Sequence, residues 1–268
     1  MEATQVTDLL EETWRSTIEV GHDLQPDEWQ LPSECPGWTV KDHVSHVIGT
    51  ERMLQGLPPA DVEVGDAPHV KNPIGEFNER EVELRRPRSG AEVLAELDEL
   101  VDLRLTTLRS ADDAYFAEPM ATPTGPGTML DFLDIRVLDC FVHEQDVRRA
   151  TARPGHLGGG PAEHTVDRLV RTLPIVVGKR AAAPEGSTSV IAIDDPVTRV
   201  IPVRVDGGRA KVVDTAPEAP IVTVRMDTQT FLALATGRWG PDAPSARLVV
   251  EGDTALGEAI ASSFNMMI

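Results

Sequence analysis

The chain has 268 residues, 41% of them hydrophobic, and carries 25 Lys and Arg against 44 Asp and Glu, a formal net charge of -19. That hydrophobic content suits one large or two modest globular domains, and the charge repels a phosphate-rich partner, so nucleic acid is not an expected ligand. No apolar run reaches the roughly 20 residues of a membrane helix, and the start "MEATQVTDLLEE" has neither the basic nor the apolar region of a secretion signal, so a cytoplasmic protein is expected.

In chain order, Val6, Leu9, Leu10, Trp14 and Ile18 recur at helical spacing up to Gly21. The turn "PSECPGW" leads into a second helix over 39–54, carrying Val40, Val44, Val47, Ile48 and Leu54. Residues 56–75 hold four prolines and three glycines and read as a loop. Ser89 with Glu92 three residues on is a capping box, and it opens a third helix through Leu108. The arginine-containing "RPRSG" before it reads as a solvated turn rather than an anion site. Residues 117–127 are a second loop. A fourth helix follows over 129–149, opened by Thr128 with Asp131. After "RPGHLGGGP" a further helix spans 162–179, with a kink expected at Pro174.

The pattern then changes. "STSVIAI", "TRVIPVRV", "RAKVV" and "PIVTVRM" are short Val- and Ile-rich runs between turn signals, which argues antiparallel strands. "DTQTFLALATG" and "TALGEAIASSF" return to helical spacing around one more strand, "ARLVVEGD". The expected layout is an α domain, a helix bundle over 1–182, followed by a small α+β domain over 187–268. Cys35 and Cys140 form no CxxC pair and are expected to be free thiols.

The helix containing "DIRVLDCFVHEQDVRR" poses the functional question. At about 100° per residue, Leu130, Leu133, Val137, Leu138 and Phe141 form one apolar stripe, and Phe132, Ile135 and Val142 a second on the far side. Asp139 and His143 fall within the second stripe. A helix apolar on two sides is sandwiched, and a buried carboxylate needs a cation, a donor or a metal beside it. At i and i+4 the two side chains can grip one ion, and a third ligand would come from a facing helix. His43 and His46 are the candidates, and periodicity slightly favours His43. Two imidazoles and a carboxylate with an open position suit catalytic Zn²⁺. Glu144 and Asp146 could support a ligand imidazole. Cys140 points about 100° away from Asp139 around the helix and is not counted as a ligand. His22, His69, His156 and His164 receive no role.

"CPGWTVKDHVSHVIGTERML" followed by "DIRVLDCFVHEQDVRR" resembles the mycothiol-dependent maleylpyruvate isomerase family, whose N-terminal part is a DinB-like metal-binding four-helix bundle. "DTQTFLALATGRWGP" and "ARLVVEGDTALGEAI" are similar to the sterol-carrier-like α+β domain that follows the bundle in that family. The resemblance implies an up-down bundle with a divalent metal, expected to be Zn, on His46, Asp139 and His143. It thus selects His46 over His43, although the best-known member has Glu where Asp139 stands. It implies Arg238 as an activity residue holding a substrate carboxylate. It also implies mycothiol as thiol cosubstrate, activated as a thiolate that attacks an electrophilic small molecule, in an isomerase or S-transferase that is a monomer or weak homodimer. A metal-assisted hydrolase, in which Glu144 or Asp139 would be general base, and a non-catalytic binding module are the alternatives.

Overall fold

The computed structural model describes residues 1–266 and divides into two compact units, Met1–Gly155 and His156–Ile268. This division lies ahead of the composition change at 180–187.

The first unit is helical: α1 (Ala3–His22), a 3-10 turn (Glu28–Gln30), α2 (Val40–Leu54), α3 (Pro73–Arg85), α4 (Gly90–Ser110), the single turn α5 (Asp113–Phe116), a two-stranded ribbon β1 (Pro119–Thr122) and β2 (Gly125–Thr128), and α6 (Met129–Ala150). The long helices close a ring in which α1 packs on α4 and α6, and α2 packs on the same two. Val6, Leu10 and Trp14 of α1, Val40 and Ile48 of α2, Val93 and Leu97 of α4, and Leu133 and Val137 of α6 fill its interior. Both capping boxes expected for α4 and α6 are present, Ser89 with Glu92 and Thr128 with Asp131. A third, Thr39 with Asp42, opens α2, the Thr39 N–H donating to Asp42 Oδ2 over 2.8 Å.

Neither α3 nor the ribbon β1–β2 was expected. α3 begins within the loop assigned to 56–75 and has little apolar periodicity, because polar contacts fix its buried side. Glu81 is buried against Arg85, and Arg85 also reaches Glu96 of α4. Helix α3 lies close enough to α2 that a Cβ on Gly49 would meet the Glu81 side chain at 2.5 Å. The ribbon β1–β2 falls in the second assigned loop, where four-residue strands are too short to show alternation.

In the second unit, α7 (Gly160–Val170) stops short of the expected 179, and a π-helical turn (Ile175–Arg180) follows. Pro174 at the break cannot donate to the helical ladder. Then come β3 (Thr188–Asp194), β4 (Arg199–Asp206), β5 (Arg209–Val212), β6 (Val222–Asp227), α8 (Thr228–Ala235), β7 (Leu248–Gly252) and α9 (Thr254–Ala261). The sheet order is β5-β4-β3-β6-β7. β3 pairs β4 antiparallel, Ile191 opposite Ile201, but pairs β6 parallel, Ile191 opposite Val224. This corrects the antiparallel expectation at that junction: strand composition marks burial, while direction follows from the return of the chain over 213–221 to the free side of β3. Helices α8 and α9 pack on β6, and Phe231 meets Phe264 edge to face with centroids 5.9 Å apart. No described helix is long and apolar enough to cross a membrane.

Gly90, the first residue of α4, lies against the buried Trp29 ring, and a Cβ there would approach the ring to 2.1 Å. Gly90→Ala is expected to destabilise the protein by about 1–3 kcal/mol, read as a lowered urea midpoint; an unchanged midpoint would contradict this packing. Burial disfavours the Glu96 carboxylate, yet Arg85 and Arg88 outweigh it and hold the group below the ordinary carboxylate range. A depressed carboxyl contributes stability above its unfolded value of about 4.3, lost as pH falls through the folded value. Glu96→Gln is therefore expected to flatten the acid limb of a stability–pH curve.

Candidate metal centre

Helix α6 enters the bundle with Phe132, Leu133, Val137 and Phe141 buried, and its second half, from Cys140 through Val147, is buried on every side. The two-sided apolar pattern thus matches a sandwiched helix, and the polar groups in it must find partners. Asp139 and His143 stack one turn apart on α6, and His46 faces them from α2. Their ligand atoms lie within 4.8 Å of one another. His46 Nε2 is 3.0 Å from Asp139 Oδ2, and His143 Nε2 is 3.6 Å from Asp139 Oδ1. His46 and His143 are buried, whereas the Asp139 side chain is 23% exposed and marks the open side.

Behind Asp139 lies a chain of buried charges. Arg136 donates to Asp139 Oδ2 and, through Nε, to Glu51 Oε1 at 2.9 Å; Glu51 Oε2 accepts from Arg104 Nε at 3.0 Å. Burial disfavours the Asp139 carboxylate, but Arg136, His46 and His143 together hold it well below the usual carboxylate range. Burial pushes the His46 imidazole down, against the pull of Asp139, so His46 is kept neutral. An anionic carboxylate oxygen and a neutral imidazole are the forms in which these residues ligate a divalent ion.

His46 Nδ1 is buried and has no hydrogen-bond partner among the described residues. His143 differs, because its second nitrogen is surrounded: Nδ1 is 3.1 Å from Asp146 Oδ2 and 2.9 Å from His43 Nδ1. His43, favoured by periodicity, is thus a neighbour of His143 and belongs to a second close set with His143 and Asp146. Its Nε2 lies 2.8 Å from Ser33 Oγ. Glu144 turns the other way, accepting from Ser16 and Arg148.

Trp38 covers the histidines, its ring centroid 5.3 to 5.6 Å from those of His43, His46 and His143. Its Nε1–H donates to Glu79 of α3 over 2.9 Å, and His69 shares the same carboxylate oxygen. His69 also packs under Gly37, which has φ +81° and where a Cβ would come within 2.4 Å of the imidazole. Sequence reasoning missed Trp38, His69 and Glu79; the aromatic beside the "PG" turn was the available signal. Arg238 belongs to the second unit, in the turn after α8, half-buried, with its Nη1 donating to Thr236 O at 2.9 Å.

Cys140 lies under the network, its Sγ 3.2 Å from Arg136 and 3.4 Å from Trp14 Nε1. Burial pushes its thiol up to about 12, against the nearby guanidinium. Since the thiolate is the reactive form, native protein in mildly alkaline iodoacetamide is expected to leave Cys140 unmodified, and denatured protein to alkylate it. Alkylation of Cys140 at the same rate in both states would contradict the burial.

The chain matches two family models, one described as mycothiol maleylpyruvate isomerase N-terminal domain over residues 10–148 and one as MDMPI C-terminal domain over residues 163–259. Two solved structures share its fold. One is a histidine-to-alanine mutant of the mycothiol-dependent maleylpyruvate isomerase, with TM-score 0.59 and 14% identity, covering 92% of this chain and 93% of that one. The other is the mycothiol-dependent maleylpyruvate isomerase itself, with TM-score 0.56 and 15% identity over the same shares. No curated protein matches. With one matched model spanning most of the helical unit and the other most of the sheet unit, the chain belongs to the mycothiol maleylpyruvate isomerase family.

Proposed function

We propose that this chain is a metal-dependent, thiol-using enzyme, an isomerase or S-transferase, with mycothiol as the thiol cosubstrate. The observation that carries the proposal is the convergence of His46, Asp139 and His143, two imidazoles and one carboxylate, on the half-open side of the bundle. That donor set fits a divalent ion of borderline softness, Zn²⁺ by preference. Bound there, such an ion would supply the positive charge that lowers the pKa of a thiol and keeps it as thiolate, the attacking form toward an electrophilic carbon. Family membership and the activity named for both matched structures support mycothiol as that thiol.

The residues of the chain divide the remaining work. Arg136, anchored by Glu51, holds Asp139 as an anion and fixes one of its oxygens, leaving the other toward His143. Burial keeps His46 neutral and able to offer a lone pair. Trp38 walls the imidazoles on one side and limits access of water to them. Arg238 is assigned to a substrate carboxylate, which its planar fork can grip in bidentate fashion. The second substrate is a small electrophile. The proposal carries with it a cytoplasmic protein, monomeric or weakly dimeric.

Elemental mass spectrometry on tag-free protein tests the site. One equivalent of metal is expected in the wild type and none in His46→Ala or His143→Ala, with helical circular dichroism retained in all three. Full metal content in either variant would sink the ligand assignment. Turnover of an electrophile without added thiol would instead remove the thiol and favour a bound water.

A further inference from the structure

The protons around His143 admit one consistent arrangement. Its Nδ1 faces Asp146 Oδ2 at 3.1 Å and His43 Nδ1 at 2.9 Å. If His43 Nδ1 held the proton between the two rings, the bare Nδ1 of His143 would face the Asp146 carboxylate, lone pair against anion in a buried site. His43 Nε2 would then have to accept from Ser33, whose hydroxyl already has an acceptor in Trp38 O at 3.0 Å. If His143 carries the proton on Nδ1, the contacts of that nitrogen and of His43 are all satisfied. That N–H is shared between Asp146 and the lone pair of His43 Nδ1. His43 then donates from Nε2 to Ser33 Oγ at 2.8 Å, which also accepts from the Cys35 N–H at 3.1 Å and donates to Trp38 O.

We infer that Asp146 and His43 are positioning residues that lock His143 as its Nδ1–H tautomer, so that Nε2 presents a bare lone pair on the side of His46 and Asp139. Both are tied to one turn. His43 reaches Ser33 directly; Asp146 Oδ1 accepts from Arg149 at 2.5 Å, and Arg149 Nε donates to Glu34 Oε2 at 2.6 Å. The turn at 33–38 therefore sets the tautomer of a residue more than a hundred positions later.

The set His43, His143 and Asp146 is not a second metal position alongside the first. Its one anion, Asp146, already pairs with Arg149, so a second divalent ion would add two positive charges beside a guanidinium in a fully buried place. The geometry stands whether or not the first site binds metal; only its consequence for affinity rests on the proposed function.

The test is long-range ¹H–¹⁵N NMR on metal-free full-length protein labelled at histidine, in mildly alkaline buffer, for wild type, Asp146→Asn and Asp146→Glu. Wild type is expected to show His143 as the Nδ1–H form. Asp146→Asn presents an amide N–H to Nδ1, and His143 is expected to move toward the Nε2–H form, as carboxylate-to-amide exchange beside an imidazole does elsewhere. Asp146→Glu is expected to restore the wild-type form in part. In parallel, zinc affinity by chelator competition is expected to fall roughly 10- to 100-fold in Asp146→Asn, with thermal midpoint and circular dichroism little changed. An Nε2–H tautomer in the wild type, or one unmoved by Asp146→Asn, overturns the inference, as does a second equivalent of zinc. Zinc binding to neither protein would defeat the proposed function instead, and the tautomer measurement would still decide this inference.

Discussion

The arrangement depends on how four charges are buried together in the bundle interior. Arg104, Glu51, Arg136 and Asp139 alternate in sign from α4 through α2 to α6. Any one of them alone would be expelled from such a place. Linked, each guanidinium meets an anion, and the series ends in a carboxylate that is half open. The three helices are held in register by that series, since a shift of one helix by a turn would separate at least one pair. The same contacts that fix the helices fix Asp139.

A buried polar core of this kind also explains why the ordinary hydrophobic signals do not describe the site. In α2 every residue from Val40 to Glu51 is buried. A helical wheel ranks His43 and His46 by distance from an apolar stripe, but on a helix enclosed all round the ranking has no meaning. Both histidines are inside, and what separates their roles is which neighbour each meets: Asp139 for His46, His143 and Ser33 for His43.

Much else was legible. Ser89 with Glu92 and Thr128 with Asp131 marked helix starts that the structure keeps, because capping is a local interaction between residues three apart. Asp139 and His143 were noticeable as polar residues in an apolar stripe. The Val-rich runs of the second unit became strands. The failures share a cause. Helix α3 is held by Glu79, Glu81 and Arg85 through partners on other elements, and Trp38 gains its place from Glu79, forty-one positions away. Contacts of that range leave no periodic trace.

The parallel pairing of β3 with β6 bears on the order in which the second unit assembles. β3, β4 and β5 follow one another through short connections and pair as neighbours, so their ribbon can form from contacts close in sequence. β6 must cross over and close a loop that already contains both of those strands before its first hydrogen bond to β3 is made, and the entropy of that closure is lost before any contact repays it. β7 pairs only with β6, and α9 packs on β6, on β7 and on the π-helical turn. The nascent ribbon therefore waits with one edge of β3 unpaired, and the speed at which β6 arrives sets how long that edge is open to another chain.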